Sequence, residues 1–257
     1  MLRALFERGI RPDLILGSSI GALNGAVVAQ QPQLEVVDRL VDIWRQVASR
    51  REVFGDRWWN RAIHVARTGT ALCSTKGLRL HLGAEFGTSA IEDLPVQFEC
   101  CATAVERATE HWFTSGLVTD AVLASSAVPG VFRPVEIRGE HFYDGGLVNV
   151  VPLVRAIDQG ARRVFILDVA QHDHMLNPPR WIYQVPRLMF EILRRQRLHR
   201  EIATIEPDVE VHLLPTGVAD PATLGWTDGL KFTQAPQAMR AAYRHSAHYL
   251  DSHGIGP

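Results

Sequence analysis

Apolar residues at Leu2, Leu5 and Phe6, followed by Ile10, recur at helical spacing, and Gly9 stands where such a helix would stop. After the connector Arg11-Pro12-Asp13 comes Leu14-Ile15-Leu16, a short unbroken apolar run of the kind that forms a strand covered on both faces. Gly17-Ser18-Ser19-Ile20-Gly21 interrupts it, and the small apolar residues from Ala22 to Gln30 suit a helix lying close against a sheet. The opening of the chain therefore predicts strand, tight turn, helix. From about Leu34 to Arg67 the pattern is helical, with Val37, Leu40, Val41, Trp44 and Val47 on one face and an irregular patch at Trp58-Trp59. Residues 96–102 and 111–114 read as strands joined by a turn, and 118–126 as a helix that stops before Pro129. Val135 to Tyr143 reads as a strand or hairpin, Pro152 to Gln159 as a helix and Arg163 to Val169 as a buried strand. Strands alternating with helices predict an α/β fold with parallel pairs. With no internal repeat and no convincing linker, residues 1–257 are expected to form a single domain.

Composition supplies material for a full core: 46% hydrophobic and 21% charged residues match a soluble globular chain and exclude a disordered or fibrous one. Charge nearly cancels, 27 basic residues against 28 acidic, with a pI near 6.8. Nucleic acid is excluded as a partner on this ground, since its binders usually have a domain pI above about 9. The longest uncharged stretch, 21 residues between Asp13 and Glu35, is too polar in its middle to be a membrane span. Met1 to Arg8 carries charges every few residues, unlike a secretory signal. Cys73, Cys100 and Cys101 suit neither a disulfide framework nor paired zinc ligands, so reduced thiols in a cytoplasmic compartment are expected.

Chemistry concentrates first in Gly17-Ser18-Ser19-Ile20-Gly21, a G-x-S-x-G on a strand-to-helix turn. Such a turn exposes its serine, its glycines remove side chains that would clash, and the following helix aims its N-terminal N–H groups at an anion forming near Ser19. A nucleophilic serine needs a base. An α/β-hydrolase would place several strands before the nucleophile, and too few residues precede Ser19 for that. His172-Asp173-His174 is read as a polar loop rather than a triad or metal site. Asp144, in Tyr143-Asp144-Gly145-Gly146, is the better partner, because the glycines let backbone approach closely; taken alone, Asp-Gly equally fits a hairpin turn.

Three blocks, in order, resemble the patatin-like phospholipases, a family of lipid acyl hydrolases. They are Arg8 to Ala26, Ala124 to Val135 (Ala-Ser-Ser-Ala-Val-Pro-Gly-Val-Phe-Arg-Pro-Val) and Tyr143 to Leu153 (Tyr-Asp-Gly-Gly-Leu-Val-Asn-Val-Val-Pro-Leu). The resemblance is strongest over residues 1–169, and 170–257 form a variable, helical C-terminal part. It implies a three-layer sandwich with a mostly parallel central sheet flanked by helices. It also implies a dyad without histidine: Ser19 as nucleophile and Asp144 as general base, supported by Gly17, Ile20, Gly21, Gly145 and Gly146. The implied reaction is hydrolysis of carboxylic esters of lipids through an acyl-enzyme, as in lipid catabolism. No cofactor or metal is called for.

An aspartate of ordinary pKa, about 3.9, is a weak base for an alcohol. Burial beside Ser19 is therefore expected to raise it and to make activity fall on the acid side of neutrality. Relatives carry a strand and a glycine-rich oxyanion loop before the first helix, whereas this sequence starts inside that helix. As written, the chain is expected to be a poor esterase, with the Ile20 N–H as one oxyanion donor and Gly130 or Gly145-Gly146 as alternative sources. A catalytically silent lipid- or partner-binding relative is the rival reading, and a thioesterase or peptidase another.

Two segments are weighed as lipid contacts. Trp58-Trp59 is assigned to core packing. Trp181 to Ile202 sets Leu188, Met189, Ile192, Leu193 and Leu198 against Arg187, Arg194, Arg195, Arg197 and Arg200. A helix of this pattern is expected to dock its apolar face on the sheet, the alternative being an anionic membrane. The protein is placed in the cytoplasm, with peripheral membrane contact as the variant. The sequence carries no signal for oligomeric state.

Overall fold

The structure, a computed structural model, describes residues 1–49, 71–168, 176–217 and 235–257. In chain order its first elements are α1 (Leu2–Glu7), β1 (Leu14–Ser18), α2 (Ile20–Gln30), α3 (Val36–Ser49) and α4 (Lys76–Phe86). Then come β2 (Gln97–Ala104), β3 (Thr109–Phe113), α5 (Val118–Ser125), β4 (Val135–Ile137) and β5 (Glu140–Asp144). The last are α6 (Leu153–Asp158), β6 (Arg163–Ile166), α7 (Val185–Ala203), β7 (Glu210–Leu213) and α8 (Ala235–Ser252). They divide into two compact units, Pro12–Pro152 and Met1–Arg11 with Leu153–Pro257.

In Pro12–Pro152, β1 to β5 form one sheet and helices flank it: α2 packs on β1 and β2, α5 on β2, β4 and β5, with α3 against α2 and α4 against α5. The fold is α/β, as expected. Strand pairing is mixed: β1–β2 is parallel, while β2–β3, β2–β5 and β4–β5 are antiparallel. Short turns account for two of the antiparallel pairs. Arg138 and Gly139 both have positive φ, the geometry of a two-residue hairpin that follows the twist of its strands. Phe98, Phe142, Leu82, Leu123, Val27, Val118 and Val122 are fully buried in this unit.

The pairing along β2 decides where the chemistry lies. A strand has two edges. β3 takes Cys100 to Ala104 on one of them, so β1, opposite Gln97 to Cys101, and β5, opposite Ala102 to Ala104, must follow one another on the other. β1 runs parallel to β2 and β5 antiparallel. Their C-terminal ends therefore meet head to head, Ser18 beside Cys101 and Asp144 beside Ala102.

In the unit of Met1–Arg11 and Leu153–Pro257, β6 and β7 pair in parallel, Arg163 opposite Glu210 through Ile166 opposite Leu213. Ala4, Leu5 and Ile10 from the start of the chain pack with Leu214 and Leu250, which joins α1 to α8. One expectation fails here. α7 buries Leu198 but not the rest of its apolar face: Met189, Ile192 and Leu193 are exposed while Arg194 is buried. The reason is ionic: Asp168, outside the helix, holds Arg194, which Glu191 binds from the same face of α7.

The predicted helix from Leu34 to Arg67 is seen as α3, and its remainder, with Trp58-Trp59, lies outside the described residues. So does His172-Asp173-His174.

Candidate active site

β1 ends at Ser18 and α2 starts at Ile20, which leaves Ser19 alone to turn the chain. Its φ is 55° and its ψ −122°, a conformation that costs a residue with a Cβ on the order of 1–3 kcal/mol and persists only where the surroundings impose it. The surroundings do so from three sides. Gly17 lies so close to α2 that a Cβ there would stand 2.5 Å from the Gly21 carbonyl oxygen. The Ser19 N–H donates to Ser125 Oγ at 2.9 Å, and Ser125 Oγ in turn donates to the Cys101 carbonyl at 2.6 Å. Ser126 Oγ donates to the Ser19 carbonyl at 3.3 Å. Ser125 is fully buried, so its hydroxyl ties the elbow to the middle of β2 without competition from water.

Asp144 closes β5 and caps the short 3₁₀ turn Gly145–Leu147. This is where the structure decides between the two readings of Asp-Gly: the residue ends a strand beside the elbow and does not turn a hairpin. Its Oδ2 accepts from Ser19 Oγ at 2.6 Å and its Oδ1 from the Gly146 N–H at 2.7 Å. Its own N–H donates to the Ala127 carbonyl at 2.9 Å, and its carbonyl accepts from Thr103 Oγ1 at 2.8 Å. Gly145 has no alternative here, since a Cβ would lie 2.1 Å from the Cys101 carbonyl oxygen and 2.6 Å from Ser18 Oγ. Asn149 braces the turn by donating its N–H to the Gly145 carbonyl and its Nδ2 to Glu110.

The electrostatics follow from this burial. Desolvation pushes the Asp144 carboxyl up to about 6, opposed by the hydrogen bonds from Ser19 and Gly146, which favour the anion. Ser19 is half-buried and Ile20 is exposed, so the hydroxyl is reachable while its partner is not. The Ile20 N–H opens α2 and has no partner inside the helix, as at any helix start.

Ser19, Asp144, Gly17, Gly145 and Gly146 thus stand together, with Ile20 and Gly21 opening the helix beside them. Ser125, Ser126, Thr103 and Asn149 were not singled out from sequence as site residues. A signal existed for the two serines: a pair of hydroxyls follows directly on the apolar run Ala121-Val122-Leu123-Ala124 at the end of α5. All three cysteines are buried and free, and burial pushes the Cys100 thiol far up, away from reactivity. Among the described residues no group of three or more His, Cys, Asp or Glu is placed to share a metal ion.

Against known families, residues 1–157 match the patatin-like phospholipases. Lysophospholipase nte1 of Aspergillus terreus is 30% identical over 67% of this chain and 11% of its own length. Lysophospholipase NTE1 of Candida glabrata is 28% identical and that of Saccharomyces cerevisiae 26%, each over 67% of this chain and 10% of its own. The chain therefore spans about a tenth of the length of these relatives. It belongs to the patatin-like phospholipase family.

Proposed function

We propose that this member of the patatin-like phospholipase family hydrolyses carboxylic esters of lipids, with Ser19 as nucleophile and Asp144 as general base. The observation that carries the reading is the 2.6 Å hydrogen bond from Ser19 Oγ to Asp144 Oδ2 at a strained strand-to-helix turn. Ser19 Oγ attacks the ester carbonyl as Asp144 takes its proton. The protonated Asp144 then gives that proton to the leaving alkoxide, which departs as an alcohol and leaves the acyl group on Ser19. A water attacks the acyl-enzyme, losing its proton to Asp144, and the fatty acid leaves as Ser19 recovers its hydrogen. Negative charge on the carbonyl oxygen in each tetrahedral step is met by the Ile20 N–H and the N-terminal end of α2.

A carboxylate near its ordinary pKa would hold the serine proton poorly. A value of about 6 brings the base closer to the working pH, where proton transfer is most effective. The relatives are named lysophospholipases, which makes a lysophospholipid with a single acyl chain the first substrate to test.

The test is release of fatty acid from lysophosphatidylcholine by the purified chain, with Ser19→Ala and Asp144→Asn beside it. Turnover should fall by on the order of 10⁴-fold or more in each. A fluorophosphonate should attach its phosphonyl group to the wild type, with loss of HF, on the peptide that holds Ser19 and leave Ser19→Ala unlabelled. Turnover that survives Ser19→Ala would refute the dyad.

A further inference from the structure

We propose that the outward face of α7, with the turn before it, docks the protein on an anionic phospholipid surface; the inference rests on the lipid-ester reading above. Trp181, Ile182, Met189, Phe190, Ile192 and Leu193 are between 40% and 88% exposed. At 3.6 residues per turn Met189 and Leu193 lie one above the other, with Phe190 and Ile192 to either side. The opposite side of the helix carries Glu191, Arg194, Leu198 and Glu201, three or four residues apart, and these are turned inward. Arg194 has only 4% of its side chain exposed, with Asp168 and Glu191 bonded to it. An arginine with its carboxylate partners turned inward beside Leu198, and a run of large apolar side chains turned outward along the first half of the helix, is the reverse of a helix on a water-facing surface.

Burial of an ion pair carries a desolvation cost that an apolar face turned inward would have avoided. The arrangement is understandable where the exposed face has a use of its own. Its occupant is identified by what continues the strip. Toward the end of α7 the apolar residues give way on the same side to Gln196, Arg197 (paired with Glu201) and Arg200, and Arg180 precedes Trp181. Residues 176–203 hold six arginines against two glutamates, a net +4 in a chain whose total is −1. A tryptophan-led apolar strip bordered by arginines matches the layered chemistry of a bilayer boundary, hydrocarbon beneath anionic headgroups. Lipid esters reside at that boundary.

The experiment is cosedimentation of the purified chain with vesicles of phosphatidylcholine alone or mixed with phosphatidylglycerol. The wild type should partition onto the mixed vesicles and be released by high salt. Ile182→Asp with Leu193→Asp should weaken binding by about tenfold or more, and Arg197→Gln with Arg200→Gln should remove only the preference for the anionic lipid. All four positions are exposed, and thermal melts of the variants check that the fold is kept. Equal partitioning of the wild type and the double aspartate variant would overturn the proposal. So would a wild-type dimer that the aspartates dissociate, which would assign the face to a second copy of the chain. Turnover of a short water-soluble ester by the same proteins reads the dyad separately, so a failed docking surface and a failed hydrolase are told apart.

Discussion

Asp144 is held where a carboxylate is least comfortable, and that one residue links activity to stability. With its pKa near 6, the basic form that the proposed dyad requires is lost as pH falls through that value. The expected profile of kcat/KM is therefore flat above about pH 7 and falls about tenfold per unit below 6; an unchanged rate at pH 5 would count against a raised pKa. Stability runs the opposite way. The folded chain keeps a proton on Asp144 between pH 3.8 and about 6 that the unfolded chain has lost, so this contribution is full below 3.8 and gone above 6. The difference of roughly two units corresponds to about 3 kcal/mol at most. Asp144→Asn, neutral at every pH, should consequently be inactive yet more stable than the wild type at pH 8, the gain shrinking toward pH 4. Urea denaturation at the two pH values measures it.

Among the elements, β2 does the organising, because two strands end against consecutive residues of one edge of it. Gly145 sits in that junction, and Gly145→Ala would drive a methyl group into the Cys101 carbonyl. Backbone on both sides has nowhere to move, so a loss of more than about 3 kcal/mol and of esterase activity together is expected. Ser125→Ala tests the brace from α5. It leaves the Ser19 N–H and the Cys101 carbonyl without the hydroxyl that serves both, a cost of about 1–3 kcal/mol. Because that hydroxyl holds the strained elbow, kcat should fall more than KM rises. Ser126→Ala, which removes one longer bond to Ser19, should do less of both. Equal loss from the two variants, seen in melting temperature and kcat, would show that the Ser125 brace carries no special weight.

For the chain as a whole, residues from its two ends share one apolar cluster in the unit of Met1–Arg11 and Leu153–Pro257. Leu250 is fully buried there against α1, while Arg8 and Asp251 join the same two helices by an ion pair whose acid is 65% exposed in its side chain. Burial outweighs the visible pair. Leu250→Ala should cost about 2–5 kcal/mol and Asp251→Ala less than about 1 kcal/mol, read by thermal or urea unfolding. The reverse order would mean that the helices are joined by charge.

Local pattern alone determined what depends on neighbours along the chain. Leu14-Ile15-Leu16 followed by small residues made strand, turn and helix readable, and Gly17-x-Ser19-x-Gly21 on that turn marked Ser19 as the candidate nucleophile. Gly145 and Gly146 after Asp144 signalled close approach of backbone. The tertiary structure alone decided which meaning of Asp-Gly applies, since a hairpin turn and a strand end beside an elbow share a dipeptide. It also decided that Ser125 and Ser126 serve Ser19, a pairing more than a hundred residues apart in sequence that no periodicity encodes. The burial of Arg194 was unreadable for the same reason: apolar spacing predicts which residues share a face of α7, but which face turns inward depends on Asp168, a residue outside the helix that happens to meet it.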